Sequence, residues 1–442
     1  MKQDIDMLMV YPRPTKDSPV CLVPLSILFP GALFKSQGKK VAYFDQRFDP
    51  EEMLDELILR SKEIGVSTMT GYQTGKAADI LMRAKQLRPD IITGVGGTHV
   101  LAVGKQVLQE PFVDKIWENP VYGEDLFPFD EQTRIHFERC DMQYMTSRGC
   151  PFACRFCSLT SPWEPYDLER IDRELSTIHK AVGFDYLSLS DPNIGHYLYK
   201  DQNGCRVKVD NVKRMYELGE ILRRLNVKWE SNIRAPLLRG EMIRALEWAG
   251  CTEIEIGCES GSERMLRKVV RKGHGVEAIK QTVREISHTS ISTMYSFIAF
   301  MPGEEPSDLN QTMDLIDWIS ENDPKARISV YHYAPYPGTP MFDDAVQGKY
   351  GFPKFKVPQT MKEWGDLKLM ASPIYWIAGL NFRMDNTRKN FPGDDWQRIA
   401  PYVDLAREKW AKRDILSFPC EEVETLIKQQ LRKQEQKRLA AS

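Results

Sequence analysis

Three cysteines, Cys150, Cys154 and Cys157, fall within eight residues of the stretch Ser147-Arg148-Gly149-Cys150-Pro151-Phe152-Ala153-Cys154-Arg155-Phe156-Cys157. The spacing is C-x3-C-x2-C, just after the apolar segment Met142 to Met145. Thiolates so spaced, on a loop leaving a strand, can converge on one metal centre. Iron–sulfur clusters are held by cysteine thiolates, normally four of them. Three ligands would leave one iron of a [4Fe–4S] cluster open, and an open position is where chemistry happens. Zinc is the competing reading, and it wants four ligands in a tetrahedron. The nearest candidates for its fourth ligand are Cys140 and His136.

The elements around this loop read as repeating units of strand then helix. Downstream, short apolar strands at 185–189, 228–231, 253–256, 292–300 and 328–333 alternate with helices at 168–182, 209–225, 241–249, 275–288 and 307–320. Six such units, counting the segment before the cysteines, predict a partial (β/α)6 barrel over residues 140–345, with chemistry at the carboxyl ends of the strands. Polar motifs stand at those ends: Ser190-Asp191, Arg234, Gly257-Cys258-Glu259-Ser260-Gly261-Ser262, Met301-Pro302-Gly303-Glu304 and Tyr336-Pro337-Gly338-Thr339-Pro340. Upstream, residues 1–135 alternate strand and helix again. Strands at 5–11, 40–44, 64–69 and 91–95 are separated by helices at 22–37, 51–62 and a third ending at Leu87. That alternation means a parallel, doubly wound, Rossmann-like sheet, whose ligands bind beyond the carboxyl ends of its strands. The fold class is therefore α/β, with two such domains and a helical C-terminal extension over 346–442.

The cysteine spacing, with aromatic Phe156 before the last thiol, resembles the signature of the radical S-adenosylmethionine (SAM) superfamily. The resemblance implies a [4Fe–4S] cluster on Cys150, Cys154 and Cys157, with SAM chelated at the open iron and cleaved to a 5′-deoxyadenosyl radical. By the same resemblance Ser190 and Asp191 would contact the SAM amino group, Arg234 would supply a polar contact, and Gly257, Glu259 and Ser260 would lie near ribose and carboxylate. The N-terminal order is similar to the cobalamin-binding domain found ahead of many radical SAM enzymes. Its matching pieces are Leu25 to Leu33, Ser67-Thr68-Met69-Thr70-Gly71, Gly96-Gly97-Thr98-His99 and Val121-Tyr122-Gly123-Glu124. Thr70, Gly71, Gly96, Gly97, Thr98 and His99 are the cobalamin candidates, the glycines because a chain without Cβ permits close approach. The lower-ligand motif Asp-x-His-x-x-Gly is absent, and His99 sits in the wrong context for it.

Substrate contacts are expected from His332 or Tyr333 on the sixth strand, where alternation sends about half the side chains inward. Trp376 and Arg383 are the candidates on the C-terminal cap. Cys258 reads as a small core residue and Cys205 as part of a polar loop.

Composition narrows the classes. The chain has 442 residues, 42% hydrophobic, and a net charge of −2, which gives no basic field for nucleic acid. Nine cysteines, three of them clustered, in a chain too long to need disulfide staples read as a reducing cytosol and a cytoplasmic protein. The start turns acidic at once, unlike a signal peptide, and no apolar run reaches the ~20 residues of a membrane span. The expected partners are a small-molecule substrate and an electron donor such as flavodoxin or ferredoxin. The expected activity is radical modification of an unactivated carbon, by cobalamin-dependent C-methylation or a related rearrangement. The alternative is a cobalamin-independent dehydratase, epimerase or hydroxylase with a degenerate N-terminal domain.

Overall fold

A computed structural model of the chain describes residues 3–15, 21–118, 126–159, 161–200, 206–299, 301–351 and 355–367. Its N-terminal part runs β1 (Ile5–Tyr11), α1 (Leu25–Ser36), β2 (Val41–Asp45), α2 (Glu51–Arg60), β3 (Ser61–Ser67), α3 (Tyr72–Leu87), β4 (Ile92–Gly96), α4 (Thr98–Val103) and β5 (Lys115–Trp117). The five strands form one parallel sheet in the order β2-β1-β3-β4-β5. Parallel strands are covered on both faces and so read as near-continuous apolar runs. β1 is such a strand, with Met7, Leu8, Met9 and Val10 all buried.

Two features, the start of β3 and the presence of β5, depart most from the pattern-based expectation. β3 begins at Ser61, directly after α2, although Ser61-Lys62-Glu63 is polar. The Ser61 hydroxyl donates to the Leu57 carbonyl, and Lys62 pairs with Asp6 on β1. Tertiary partners therefore hold polar residues in a strand that apolar patterning starts at Ile64. β5, of three residues, was not expected at all. It is too short for periodicity to register.

A short α5 (Arg134–Arg139) leads to the second domain. There the order is β6 (Gln143–Tyr144), β7 (Ser147–Cys150), β8 (Ser161–Pro165), α6 (Leu168–Val182), β9 (Tyr186–Leu189), β10 (Leu198–Lys200), β11 (Arg206–Lys208), α7 (Asn211–Arg224), β12 (Lys228–Asn232) and α8 (Glu241–Trp248). It continues through β13 (Cys251–Glu259), α9 (Val276–Ile286), β14 (Ser292–Ala299), α10 (Pro306–Asn322), β15 (Ala326–His332), α11 (Pro340–Gln347) and α12 (Met361–Asp366). Among the described residues six parallel strands form an open barrel wall, β15-β14-β13-β12-β9-β6. β10 and β11 form an antiparallel hairpin flanking the polar insert that includes Cys205, a residue outside the described set.

The helices follow from capping and spacing. Asp167 accepts from the Glu169 and Arg170 amides at the start of α6, and Ile171, Leu175 and Ile178 form its buried stripe. One hydrophobic cluster joins the two domains, from Met7, Ile27 and Leu28 through Phe137 and Tyr144 to Leu187 and Trp229. No helix among the described residues is long and apolar enough to cross a membrane. Trp376 and Arg383, with the rest of the expected C-terminal helices beyond residue 367, lie outside the described residues.

Candidate functional site

The cysteine loop is anchored at both ends. β7 pairs antiparallel with β8, and Gly149 has φ of +75°, with the Pro162 carbonyl oxygen where a Cβ would lie. At the far end the Arg155 amide donates to the Val270 carbonyl at 2.9 Å, and the Arg155 guanidinium pairs with buried Asp344. The Met341 amide donates to the Arg155 carbonyl at 3.1 Å, tying the loop to α11.

The three thiols share one volume. Burial pushes the Cys157 thiol up, and Cys154, Cys150 and Glu259 add to the rise as neighbouring negative charges. Two donors point at the sulfurs: the Leu159 amide lies 3.4 Å from Cys157 Sγ, and Arg234 Nη1 lies 3.4 Å from Cys154 Sγ. Among the described residues no three His, Cys, Asp or Glu side chains stand as close together as a single metal ion requires. The two observations agree if each thiolate binds a separate iron, since a cubane holds its ligands wider apart than one ion does. Cys140 and His136 are also placed elsewhere: Cys140 contacts Cys21 and Arg47, and His136 lies 3.9 Å from Asp45. The donor set fits a cluster held by Cys150, Cys154 and Cys157, with hydrogen bonds to sulfur of the kind that tune such centres.

Arg234 is 9% exposed and sits over the Phe152 ring, 3.7 Å from its centroid. Its own amide donates to Asn193 Oδ1 at 3.1 Å, and its guanidinium also donates to the Lys272 carbonyl. Beside it lies a buried ion pair, Glu259 with Lys272. Glu259 adopts φ of +63°, a strained conformation for a non-glycine residue. At Gly257 a Cβ would overlap the Glu259 carboxylate and the Lys272 ammonium. The ion pair lies across that glycine, and a side chain there would displace it. Lys272 also stands 5.9 Å from the centroid of Phe156.

Lys272 is the residue that pattern reading missed. Its signal is a basic residue in the glycine-flanked run Arg271-Lys272-Gly273-His274-Gly275, which returns the chain to the carboxyl end of β13. His274 follows it, 5% exposed, and burial between Lys272 and Arg234 lowers its pKa to about 4.

Other expected contacts are turned away from the site. Asp191 is fully buried and accepts from the Thr146 amide and hydroxyl, each at 2.9 Å, and from the Ser147 hydroxyl. It therefore braces the strand end that carries the cysteine loop. Burial raises its pKa, against the lowering by those three donors. Ser190 donates to Gln143 Oε1 at 2.9 Å. The Ser260 hydroxyl is 3.1 Å from Thr312 on α10, and Ser262 donates to Asp308 on the same helix. The Gly-x-Glu-Ser-Gly-Ser motif thus divides in two: Gly257 and Glu259 face the thiols, while Ser260 and Ser262 lock α10. Tyr333 is 3% exposed in an apolar cluster with Met265, Met301 and Met341, so it is core and not cavity lining. Cys258 is fully buried, as a core thiol should be, and the His332 side chain lies outside the described set.

Replacing Asp191 with alanine is expected to leave three donors without their acceptor and to cost about 2–3 kcal/mol of stability. Iron content after reconstitution should fall with it, since the loop loses its brace. Urea denaturation and iron analysis check both; unchanged values in both would remove the bracing role.

At the carboxyl edge of the first sheet, Thr70 Oγ1 lies 3.0 Å from His99 Nδ1. His99 is fully buried, its ring edge-on to Trp364 at 5.3 Å between centroids. Gly97 has φ of +102° and a Thr68 carbonyl oxygen where a Cβ would lie, so its glycine is already required within the chain. Gly71, at φ of +106°, borders open space, Gly96 makes only ordinary contact with Trp117, and Thr98 is exposed. A bulky ligand at this edge therefore fits at Gly71, Gly96 and Thr98, while Thr70 holds His99 Nδ1 and leaves the buried His99 Nε2 without a hydrogen-bond partner.

Burial lowers the His99 pKa from 6.5 to about 4. The unfolded chain takes up a proton below pH 6.5 while the folded one stays neutral until about 4, so stability falls as pH falls through that window. The expected loss from this group between pH 7 and pH 5 is about 2 kcal/mol. Denaturation midpoints at the two pH values, compared with a His99→Gln variant, check it; an equal pH slope in both proteins would count against it.

Two open α/β domains, with three thiols at the strand ends of a six-stranded barrel, define the class of protein. Residues 144–316 match the family model described as the radical SAM superfamily. The structure of the cobalamin-dependent SAM radical enzyme OxsB, with aqua-cobalamin bound, superposes with a TM-score of 0.66 at 16% identity, over 100% of this chain and 81% of that one. The radical SAM methyltransferase TsrM from Kitasatospora setae, with cobalamin and a [4Fe–4S] cluster bound, gives 0.60 at 14% identity, over 83% and 81%. Among curated relatives, an uncharacterized methyltransferase of Pyrococcus horikoshii is 24% identical over 245 residues, 53% of this chain and 48% of its own. The anaerobic magnesium-protoporphyrin IX monomethyl ester cyclase of Rubrivivax gelatinosus is 26% identical over 335 residues, 61% of this chain and 56% of its own. The chain spans about half the length of these curated relatives.

Residues 144–316 thus carry a radical SAM domain, and the fold around them is similar to that of cobalamin-dependent radical SAM enzymes. That domain implies a [4Fe–4S] cluster and SAM as the cofactors of the barrel.

Proposed function

We propose that the protein reductively cleaves SAM and uses the 5′-deoxyadenosyl radical to modify an unactivated carbon of a small-molecule substrate, by corrinoid-assisted C-methylation or a related rearrangement. The observation that carries this reading is the convergence of Cys150, Cys154 and Cys157 with Arg234 and the Glu259–Lys272 pair at the carboxyl ends of the barrel strands. When bound, the cluster supplies one electron to the SAM sulfonium. The chain's part is to hold three thiolates, to offset their charge with Arg234, and to present Glu259 and Lys272 to a zwitterionic ligand.

The electron would come from a small carrier such as flavodoxin or ferredoxin in a reducing cytoplasm. Likeness of fold to OxsB and TsrM supports a corrinoid on the first sheet's edge, at Gly71, Gly96 and Thr98. A second reading, a cobalamin-independent dehydratase, epimerase or hydroxylase, is favoured by Gly97, whose glycine the Thr68 carbonyl already requires, and by Thr70, whose hydroxyl is engaged with His99 Nδ1.

Anaerobic turnover with SAM and a low-potential reductant separates the readings. Methyl transfer should yield both 5′-deoxyadenosine and S-adenosylhomocysteine, whereas the second reading yields the first alone. Absence of 5′-deoxyadenosine from protein with a full iron content would overturn both.

A further inference from the structure

Cys21 and Cys140 take no part in the site above, yet their sulfurs stand 3.4 Å apart. Neither is fully buried. The backbone brings them together. Leu22 and Asp141 form a parallel bridge, the Asp141 amide donates to the Cys21 carbonyl at 2.7 Å, and the Val23 amide donates to the Asp141 carbonyl at 3.3 Å. Adjacent strands lie about 4.8 Å apart, so the pair one position before the bridge falls within the Cα separation of about 4.4–6.8 Å that a disulfide accepts. Arg47, paired with Asp45, adds a cation here. Its Nη2 lies 3.4 Å from Cys140 Sγ and its Nη1 donates to the Leu22 carbonyl at 2.8 Å. A guanidinium at Cys140 Sγ favours that sulfur's thiolate, the form in which it can attack a disulfide held on Cys21.

We propose that Cys21 and Cys140 form a thiol–disulfide exchange site that reacts with small disulfides of the glutathione type and staples the segment after β1 to the entry of the barrel. The Cys21 thiolate attacks one sulfur of the small disulfide, releasing one small thiol and leaving a mixed disulfide. The Cys140 thiolate then attacks the Cys21 sulfur and releases the second small thiol. One S–S bond breaks and one forms; two electrons pass from the protein sulfurs to the small disulfide, and the two protons leave on its thiols. Burial pushes the Cys140 thiol up to about 12, with Arg47 pulling it down. With Arg47 at its sulfur and Cys21 Sγ 3.4 Å away, Cys140 serves as the resolving thiol, acting once its partner sulfur is held beside it. The bridge closes on the strand that leads into Ser147 and the cysteine loop, so oxidation would fix the junction between the domains.

The test uses the full chain with its cluster reconstituted, equilibrated anaerobically in reduced and oxidised glutathione of stepped ratio, then alkylated and mapped by peptide mass. The expected product is a Cys21–Cys140 linked peptide, lighter by two hydrogens, formed while Cys251 and Cys258 remain alkylatable after unfolding. In Cys140→Ser, glutathione should stay on Cys21 because nothing resolves it. In Cys21→Ser, Cys140 should stay reduced. Hydrogen exchange of residues 21–24 should slow in the oxidised wild type. Alkylation of both thiols at every ratio, or a glutathione adduct on Cys21 that persists in the wild type, would overturn the assignment. Loss of radical chemistry with the bridge still forming would bear on the barrel reading alone.

Discussion

Cys154→Ala is expected to abolish 5′-deoxyadenosine formation and to remove the iron–sulfur absorbance of the reconstituted protein. Cys154 is the most enclosed of the three ligands, 7% exposed, and the one that Arg234 addresses. Alanine there leaves a two-thiolate loop around a centre that needs three, with the Arg234 charge facing no sulfur. The effect should therefore be a fall to background and not a partial loss. Cys140→Ser is the control, because Cys140 lies against Cys21 and Arg47 and takes no part in the loop. It should retain full iron and full turnover. Iron that survives in Cys154→Ala, or disappears in Cys140→Ser, would show that the ligand set has been misassigned.

What could be read from residue order alone was whatever depends on local spacing. The C-x3-C-x2-C run is local, and so is the alternation of strand and amphipathic helix. α6 falls at Leu168–Val182, the range the pattern predicts, and the structure adds the Asp167 cap and the buried stripe of Ile171, Leu175 and Ile178. What stayed hidden depends on which way a side chain turns after the chain has folded. Asp191 and Ser260 stand at strand ends, as ligand contacts should, but Thr146 and Thr312 approach them from behind. Alternation could send Tyr333 inward; the apolar cluster of Met301 and Met341 received it. Gly97 invited a ligand-based reason, whereas the Thr68 carbonyl supplies one within the chain. Lys272 was passed over because its partner lies 13 residues away across a turn, and the glycine-flanked run around it does not by itself separate a buried lysine from a solvated one.

That pair carries the other large expected effect. Glu259 and Lys272 are each 6% exposed, so removing one partner strands the other charge away from water. Lys272→Ala should cost about 3–5 kcal/mol in urea denaturation, much of it the penalty on an unpaired Glu259. Glu259→Gln combined with Lys272→Met should recover most of that loss, since a buried pair replaced by neutral groups of similar volume is often neutral in stability. Function should not recover with it. If the two charges receive the charged ends of SAM, the double variant folds but shows a raised KM for SAM, with iron content intact because Cys150, Cys154 and Cys157 are untouched. Stability and SAM affinity then part company, which a purely structural ion pair would not allow. Glu259 adds a second handle, because its φ of +63° carries strain of about 1–3 kcal/mol. Glu259→Gly relieves that strain but strands Lys272, so it should be less destabilising than Lys272→Ala. A Lys272→Ala protein as stable as wild type would mean that water reaches Glu259, and the site would then be more open than the burial of this pair describes.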